Sequence, residues 1–331
     1  MARSVTLLTS QFADMPFAEL AQKAAEWGYD GLEIAIKGDH FDVLQGATDP
    51  DYCQGKLDFL AQQGLKVFAI NACIASQLIG GRNESRRSDA WAPSQYAGDA
   101  EAKRTWAIAA TKDAARAAVN LGINIVTGCS GSPIWHLVYR QPTNQPGMIE
   151  AGHQRLVELF DPVLDVYDEL GIKFALEVMP TQIAYDIVTA HKAVELLGHH
   201  KSFGFNFDPS HLHWQMLDSA QFIRELAERI YHVHMKDTGM FLNGRTSILN
   251  SHLSFGHPER SWEFRTPGRG DVNFEEIIRE LNRIGYEGPL SVEWEDTGMD
   301  REEGAREAVG FIRKLDFSPS AFSFEALLKQ D

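Results

Sequence analysis

Short apolar runs alternate along the whole chain with longer amphipathic stretches. Eight runs carry the β-branched and aromatic residues expected of strands: Val5–Leu8, Gly31–Ile36, Lys66–Ala72, Asn124–Gly128, Lys173–Val178, Phe203–Asp208, Ile230–Lys236 and Pro289–Glu295. Apolar residues recur at helical spacing near Phe17–Trp27, Asp51–Gln63, Glu101–Leu121, Gly152–Leu170, Thr189–Leu197, Ser219–Ala227, Phe274–Ile284 and Arg301–Leu315. Runs this apolar belong to strands buried on both faces, as parallel strands are. Eight strand–helix units without a break predict an α/β fold, a (β/α)8 TIM barrel. It would fill residues 1–331 as a single domain, with a C-terminal tail from about residue 316 to 331.

Two internal repeats support this reading. Five helices end on Gly and an apolar residue just before the next strand, at Gly28, Gly64, Gly122, Gly171 and Gly285. Gly at that point adopts the left-handed conformation that closes a helix. A sharper repeat aligns Val233-His234-Met235-Lys236-Asp237-Thr238-Gly239-Met240 with Val292-Glu293-Trp294-Glu295-Asp296-Thr297-Gly298-Met299, and sets His234 against Glu293. Loop lengths then separate the two ends of the barrel. Helix-to-strand connections are short, whereas those after strands three, four and seven are long: Cys73 to about Asp99, Cys129 to about Ile149, and Asp237 to about Asp271. Active sites in such barrels sit at the strand-to-helix end.

Four successive strand runs finish on a metal-binding side chain: Glu177, Asp208, His234 and Glu293. Three carboxylates and one imidazole suit one divalent cation of the Mn²⁺ or Mg²⁺ type, or Co²⁺, with Mn²⁺ the first expectation. Taken singly, Glu177 and Glu293 could be ordinary strand-end charges; four such residues at matching ends argue for a site.

Composition narrows the partners. A formal net charge of -15 argues against binding a nucleic-acid backbone. No apolar run approaches the length of about 20 residues that spans a membrane, and the N-terminus reads as the first strand rather than a signal peptide. Three widely spaced cysteines without a CxxC pair suggest free thiols, a reduced cytoplasmic setting and no zinc–thiolate site.

The four ligand positions, with Asp208-Pro209-Ser210-His211 and His234-Met235-Lys236-Asp237, make the chain resemble the xylose isomerase-like barrels. That group holds sugar-phosphate isomerases, ketose 3-epimerases, inosose dehydratase-type lyases and the endonuclease IV branch. The resemblance implies a metal bound by Glu177, Asp208, His234 and Glu293, with Glu177 and Glu293 as the acid/base pair and His211 against substrate. It also implies a substrate-binding Arg after the metal His. Arg245 and Arg269 are candidates, and Arg269 is favoured because Gly268-Arg269-Gly270-Asp271 precedes the next helix. The long Gly239–Asp271 segment departs from the epimerases and suggests a larger substrate, covered by a loop that Phe241, Leu249 and Phe255 anchor.

Other side chains carry open readings. His136, in the loop after strand four, is expected beside the metal as a base or substrate ligand, or else is a plain surface histidine. Lys236 would meet a substrate oxygen or pair with Asp237. Trp135, Trp214, Trp262 and Phe241 would stack on a sugar or simply pack. Arg82, Arg86 and Arg87 read as a solvated run, and His199 and His200 as solvated residues at a helix end. The resulting expectation is a metal-dependent carbohydrate isomerase or epimerase acting by proton abstraction beside a carbonyl. The alternative is a lyase of 3-keto-glycosides, a C-glycoside deglycosidase catalytic subunit or dehydratase, working by enolisation and β-elimination. A homo-oligomer is expected, with a small accessory subunit in the lyase case. The DNA-repair branch is disfavoured by the acidic charge and the scarcity of extra histidine ligands.

Overall fold

The eight predicted strand runs all form strands, and their largely apolar character matches where they lie. In chain order the strands are β1 (Val5–Leu8), β2 (Gly31–Ala35), β3 (Lys66–Asn71), β4 (Ile125–Gly128), β5 (Lys173–Glu177), β6 (Phe203–Phe207), β7 (Ile230–Met235), β8 (Asp237–Met240), β9 (Trp262–Arg265) and β10 (Leu290–Val292). The computed structural model describes residues 2–84, 86–139, 141 and 145–320, so the end of the expected tail, residues 321–331, lies outside the described residues. Strands β1 to β7 and β10 close a parallel barrel in the order β1-β10-β7-β6-β5-β4-β3-β2. Closure is made where Val5 pairs with Leu290 and Thr6 with Gly31. The remaining two strands form a separate antiparallel ribbon, with Met240 opposite Trp262 and Asp237 opposite Arg265.

Helices are bounded where local chemistry says they should be. Asp99 and Asp300 each accept two backbone N–H groups of the helices they precede, and Asp186 forms a capping box with Thr189. Each such cap contributes about 1 kcal/mol. All five repeated glycines have positive φ, between 67° and 98°. At Gly171 the need is plain: its N–H reaches Asp168 O while Ile172 N reaches Tyr167 O, a reversal that a side chain would strain. Helices dock on the barrel through buried aromatics. Tyr167 stands edge-on to Phe174 at 5.6 Å and donates its hydroxyl to Thr111 O at 2.8 Å.

The long connections are more structured than sequence suggested. After β3 the chain turns at once into a helix, Cys73–Gly80, where a loop was expected. The cysteine expectation also fails, because Cys73 and Cys129 are disulfide-bonded, with Cα atoms 4.7 Å apart. The register explains it. Asn71 pairs with Thr127 on adjacent strands, so the residues two further along each strand face each other. Cys53 is free and buried. Among the described residues, no helix is long and apolar enough to cross a membrane.

Candidate metal centre

The C-terminal ends of β5, β6, β7 and β10 converge on one point. Glu177 ends β5, Asp208 follows β6, His234 lies one residue before the end of β7, and Glu293 follows β10. One donor atom from each lies within 4.8 Å of the others, and all four residues are buried. Three buried carboxylates at such range repel one another and lose hydration. Burial, and then Glu293, push the Glu177 carboxyl up to about 7. Burial pushes Asp208 up to about 6 against the pull of His211 and Lys236. Glu293 goes the other way: burial would raise it, but Lys236 and then His234 hold it well below the usual carboxylate range. Asp208 Oδ2 is buried without a hydrogen-bond partner, and so is His211 Nε2 beside it. Such a donor set, with an unsatisfied carboxylate oxygen inside it, fits a divalent cation.

Beneath the four ligands lies a residue that the sequence reading missed. Glu33, in the middle of β2, is fully buried in the barrel interior. Its carboxylate meets Asn71 Nδ2 at 3.2 Å, Thr127 Oγ1 at 2.5 Å, Ser291 Oγ at 2.7 Å, His232 Nε2 at 2.9 Å and His234 Nε2 at 3.0 Å. Burial alone would raise its carboxyl, yet the two imidazoles hold it well below its ordinary value. Glu33 orients the His234 ring. Nε2–H donates to Glu33 at 3.0 Å, and Nδ1 lies 3.0 Å from the Glu293 carboxylate, where a bound cation would take the place of the ring's second proton. Burial lowers His234, but Glu33 and Glu293 raise it well above its ordinary value.

A cavity of about 370 Å³ opens above the ligands, lined by Glu177, Glu293, His211, Lys236, Gln11, Gln77 and Trp91 among others. Lys236 reaches into it, 3.3 Å from Glu293 and 3.0 Å from Glu295, and sits 4.2 Å over the Phe264 ring. It does not pair with Asp237, which is occupied otherwise: the Asp237 carboxylate accepts backbone N–H groups of Thr238, Gly268, Gly270 and Val272. Gln11, another residue not singled out from sequence, donates to Glu293 at 2.9 Å. His211 approaches Glu177 at 3.2 Å and stands edge-on to Phe264. Burial, against Asp208, lowers its basicity.

Three expected site residues lie elsewhere. Arg269 is half-exposed and grips Glu307 of the last helix with two hydrogen bonds, because the Asp237 clamp on Gly268 and Gly270 turns its side chain outward. Arg245 is exposed and pairs with Glu259. His136 is exposed and lines a neighbouring cavity with Arg82 and Trp135, not the metal pocket. Burial, and then Arg82, lower its basicity. The loop anchors also differ from expectation. Leu249 is 79% exposed, and Phe241 and Phe255 are only partly covered. Of the three, Phe255 does hold the segment, but against the ribbon: it stacks on Phe264 at 5.6 Å, beside Trp262, which stacks on Trp214 at 4.5 Å.

The family model described as a xylose isomerase-like TIM barrel matches residues 21–315. An inosose dehydratase of Clostridium perfringens is 35% identical over 89 residues, 27% of this chain and 29% of that enzyme. Stretches shared with curated relatives span 29% to 46% of those relatives' own length. Among solved structures, the 3-keto-D-glucoside 4-epimerase YcjR from E. coli superposes with a TM-score of 0.64 at 14% identity, covering 94% of this chain and 99% of that one. The IolI protein, solved with a bound zinc atom, gives 0.63 at 16% identity, covering 95% and 98%.

Proposed function

Because the chain belongs to the xylose isomerase-like TIM-barrel family, we propose that it is a divalent-metal-dependent carbohydrate epimerase or isomerase. It moves a proton on the carbon next to a sugar carbonyl. The observation that carries this reading is geometric: Glu177, Asp208, His234 and Glu293 bring one donor atom each within 4.8 Å of the others, and both glutamates line one pocket. Glu177, Asp208, His234 and Glu293 would hold the cation, with Mn²⁺ the first choice for so oxygen-rich a set and Mg²⁺ or Co²⁺ next. Once bound, such an ion supplies Lewis acidity that makes the C–H beside a carbonyl easier to deprotonate.

The chain's own groups then divide the work. Glu293, kept ionised by Lys236, takes the proton from one face of the reacting carbon. Glu177 returns one from the other face, or to the neighbouring carbon. Lys236 and His211 meet the sugar oxygens, while Phe264 and the ribbon that carries it limit water above them. The relatives support the sugar-acting class: one is named an epimerase of a 3-keto-glucoside and another a dehydratase of inosose.

One observation favours a second reading. A neighbouring cavity of about 390 Å³ shares Gln77 and Trp91 with the metal pocket and carries Trp135, Arg82 and His136. It offers room for the departing half of a 3-keto-glycoside, which His136 and Trp135 would contact while a carboxylate of the metal pocket takes the proton beside the carbonyl and the leaving oxygen takes one from water. Incubating the Mn²⁺-loaded protein with ketoses and 3-keto-glycosides in D₂O tests both readings. Deuterium on carbon in recovered sugar is the expected result. Release of an aglycone moves the assignment to the lyase, and neither outcome with any substrate of the panel overturns both.

A further inference from the structure

At the opposite end of the barrel, where helices return to strands, a second group of metal-binding side chains is preassembled. The helix Met148–Leu170 presents Asp161, Asp165 and Asp168 at spacings that share one face. The turn between Leu197 and β6 brings His199 and His200 against that face. From sequence both histidines read as solvated, but His200 is only 5% exposed. Its Nδ1 is 2.7 Å from Asp168 Oδ2, which fixes the ring. Its Nε2 points at Asp161 Oδ1 across 3.4 Å, and both of those atoms are buried without a hydrogen-bond partner. His199 Nε2 reaches the same Asp161 oxygen at 3.5 Å, and the two rings lie 4.2 Å apart.

We propose that Asp161, His199 and His200 form a second, peripheral metal site for a Zn²⁺-type transition ion. The three donor atoms lie within 4.8 Å of one another, the spacing of ligands around one ion. Two imidazoles and one carboxylate favour Zn²⁺, Ni²⁺ or Cu²⁺ over Mg²⁺ or Ca²⁺, in contrast to the oxygen-rich set at the other end. Asp168 plays the outer-sphere part: it holds His200 by Nδ1 and so directs Nε2 inward. It also accepts Ser202 N at 2.8 Å, while Arg229 binds the carbonyls of Gly198, His200 and Phe203. The turn is thereby rigid before any ion arrives. Three protein ligands leave a fourth position toward the partly exposed side of Asp161, open to water. The ion would tie the helix to the turn that feeds β6.

The site is separable from the catalytic one by variants. Equilibrium dialysis of the full chain against Zn²⁺, read by elemental analysis, should give one more bound equivalent for the wild type than for Asp161→Asn with His199→Ala. Both side chains are partly exposed, so that variant keeps its fold. Glu177→Gln with Asp208→Asn should retain the peripheral ion. Asp168→Asn should weaken it by roughly 10–100-fold, as loss of an outer-sphere partner does. Crystals soaked in Zn²⁺ should show an anomalous peak between His199, His200 and Asp161. Equal stoichiometry in wild type and the Asp161/His199 variant, or no peak there, overturns the proposal. His200 would then be only a strut between Asp161 and Asp168.

Discussion

Two polar clusters adjoin inside the barrel and share His234, yet they are built on opposite terms. Around Glu33, one carboxylate is met by donors from five side chains, so its charge is fully satisfied. Around Glu177 and Asp208, three carboxylates crowd one point, and Asp208 Oδ2 has no partner. A saturated buried carboxylate is architecture, because each hydrogen bond offsets its lost hydration. An unsaturated cluster of like charges is a demand for a cation. His234 joins the two and transmits the order of the first to the second.

The largest expected effect comes from breaking the unsaturated cluster. Glu177→Gln with Asp208→Asn should remove Mn²⁺ binding in calorimetry, by more than the roughly 10–100-fold that an outer contact costs, and should end turnover. Unchanged Mn²⁺ affinity would mean the ligands are misassigned. Breaking the saturated cluster comes next. Glu33→Gln leaves His232 and His234 facing a neutral amide, with an expected loss of roughly 3–5 kcal/mol in urea unfolding. Mn²⁺ affinity should fall by roughly 10–100-fold. Loss of stability with unaltered affinity would show that Glu33 does not orient His234.

Acidity sharpens the contrast. Glu177 and Asp208 have folded values near 7 and 6, raised above their unfolded ones. For acids raised in this way the native state binds more protons, so the destabilisation is absent at low pH and grows as pH rises through 6 and 7. Cation binding works against the same protons and strengthens with pH. The gap in melting temperature between Mn²⁺-loaded and metal-free protein should therefore narrow as pH falls from about 8 to about 5.5. A constant gap would contradict the shared titration.

Changes with little effect on stability test the cover and the outliers. Replacing the segment between Met240 and Trp262 with a tight turn keeps the ribbon, and should preserve the fold while abolishing turnover of the native substrate. Full activity would remove the segment from substrate recognition. The smallest change is expected for Arg269→Ala, whose pair with Glu307 lies in solvent and is screened there. Turnover within about twofold of wild type should result, and a hundredfold loss would return Arg269 to the site.

The barrel and its four candidate ligands were legible because strand ends carry them, and a polar residue ending an apolar run stands out. Glu33 was not, since it interrupts Gly31-Leu32-Glu33-Ile34-Ala35 in mid-run, where end-of-strand reasoning does not look. The usable signal was chemical: a lone carboxylate inside a strand buried on both faces must find several donors. Arg269 misled because proximity in sequence to a helix start says nothing about which way a side chain turns. The Cys73–Cys129 bond was hidden for a related reason. It depends on the register of two strands joined through more than fifty residues, and spacing along the chain does not report that.

The Asp237 carboxylate closes the base of the Gly239–Arg269 excursion by holding backbone from both of its ends. At Gly270 an added side-chain carbon would collide with that carboxylate. A segment tied at its neck is mechanically insulated from the barrel that bears it. Its interior can lengthen, shorten or change composition without disturbing the strand ends below. Such a segment has the character of an interchangeable cassette, through which the pocket of the proposed enzyme could be refitted to substrates of different size.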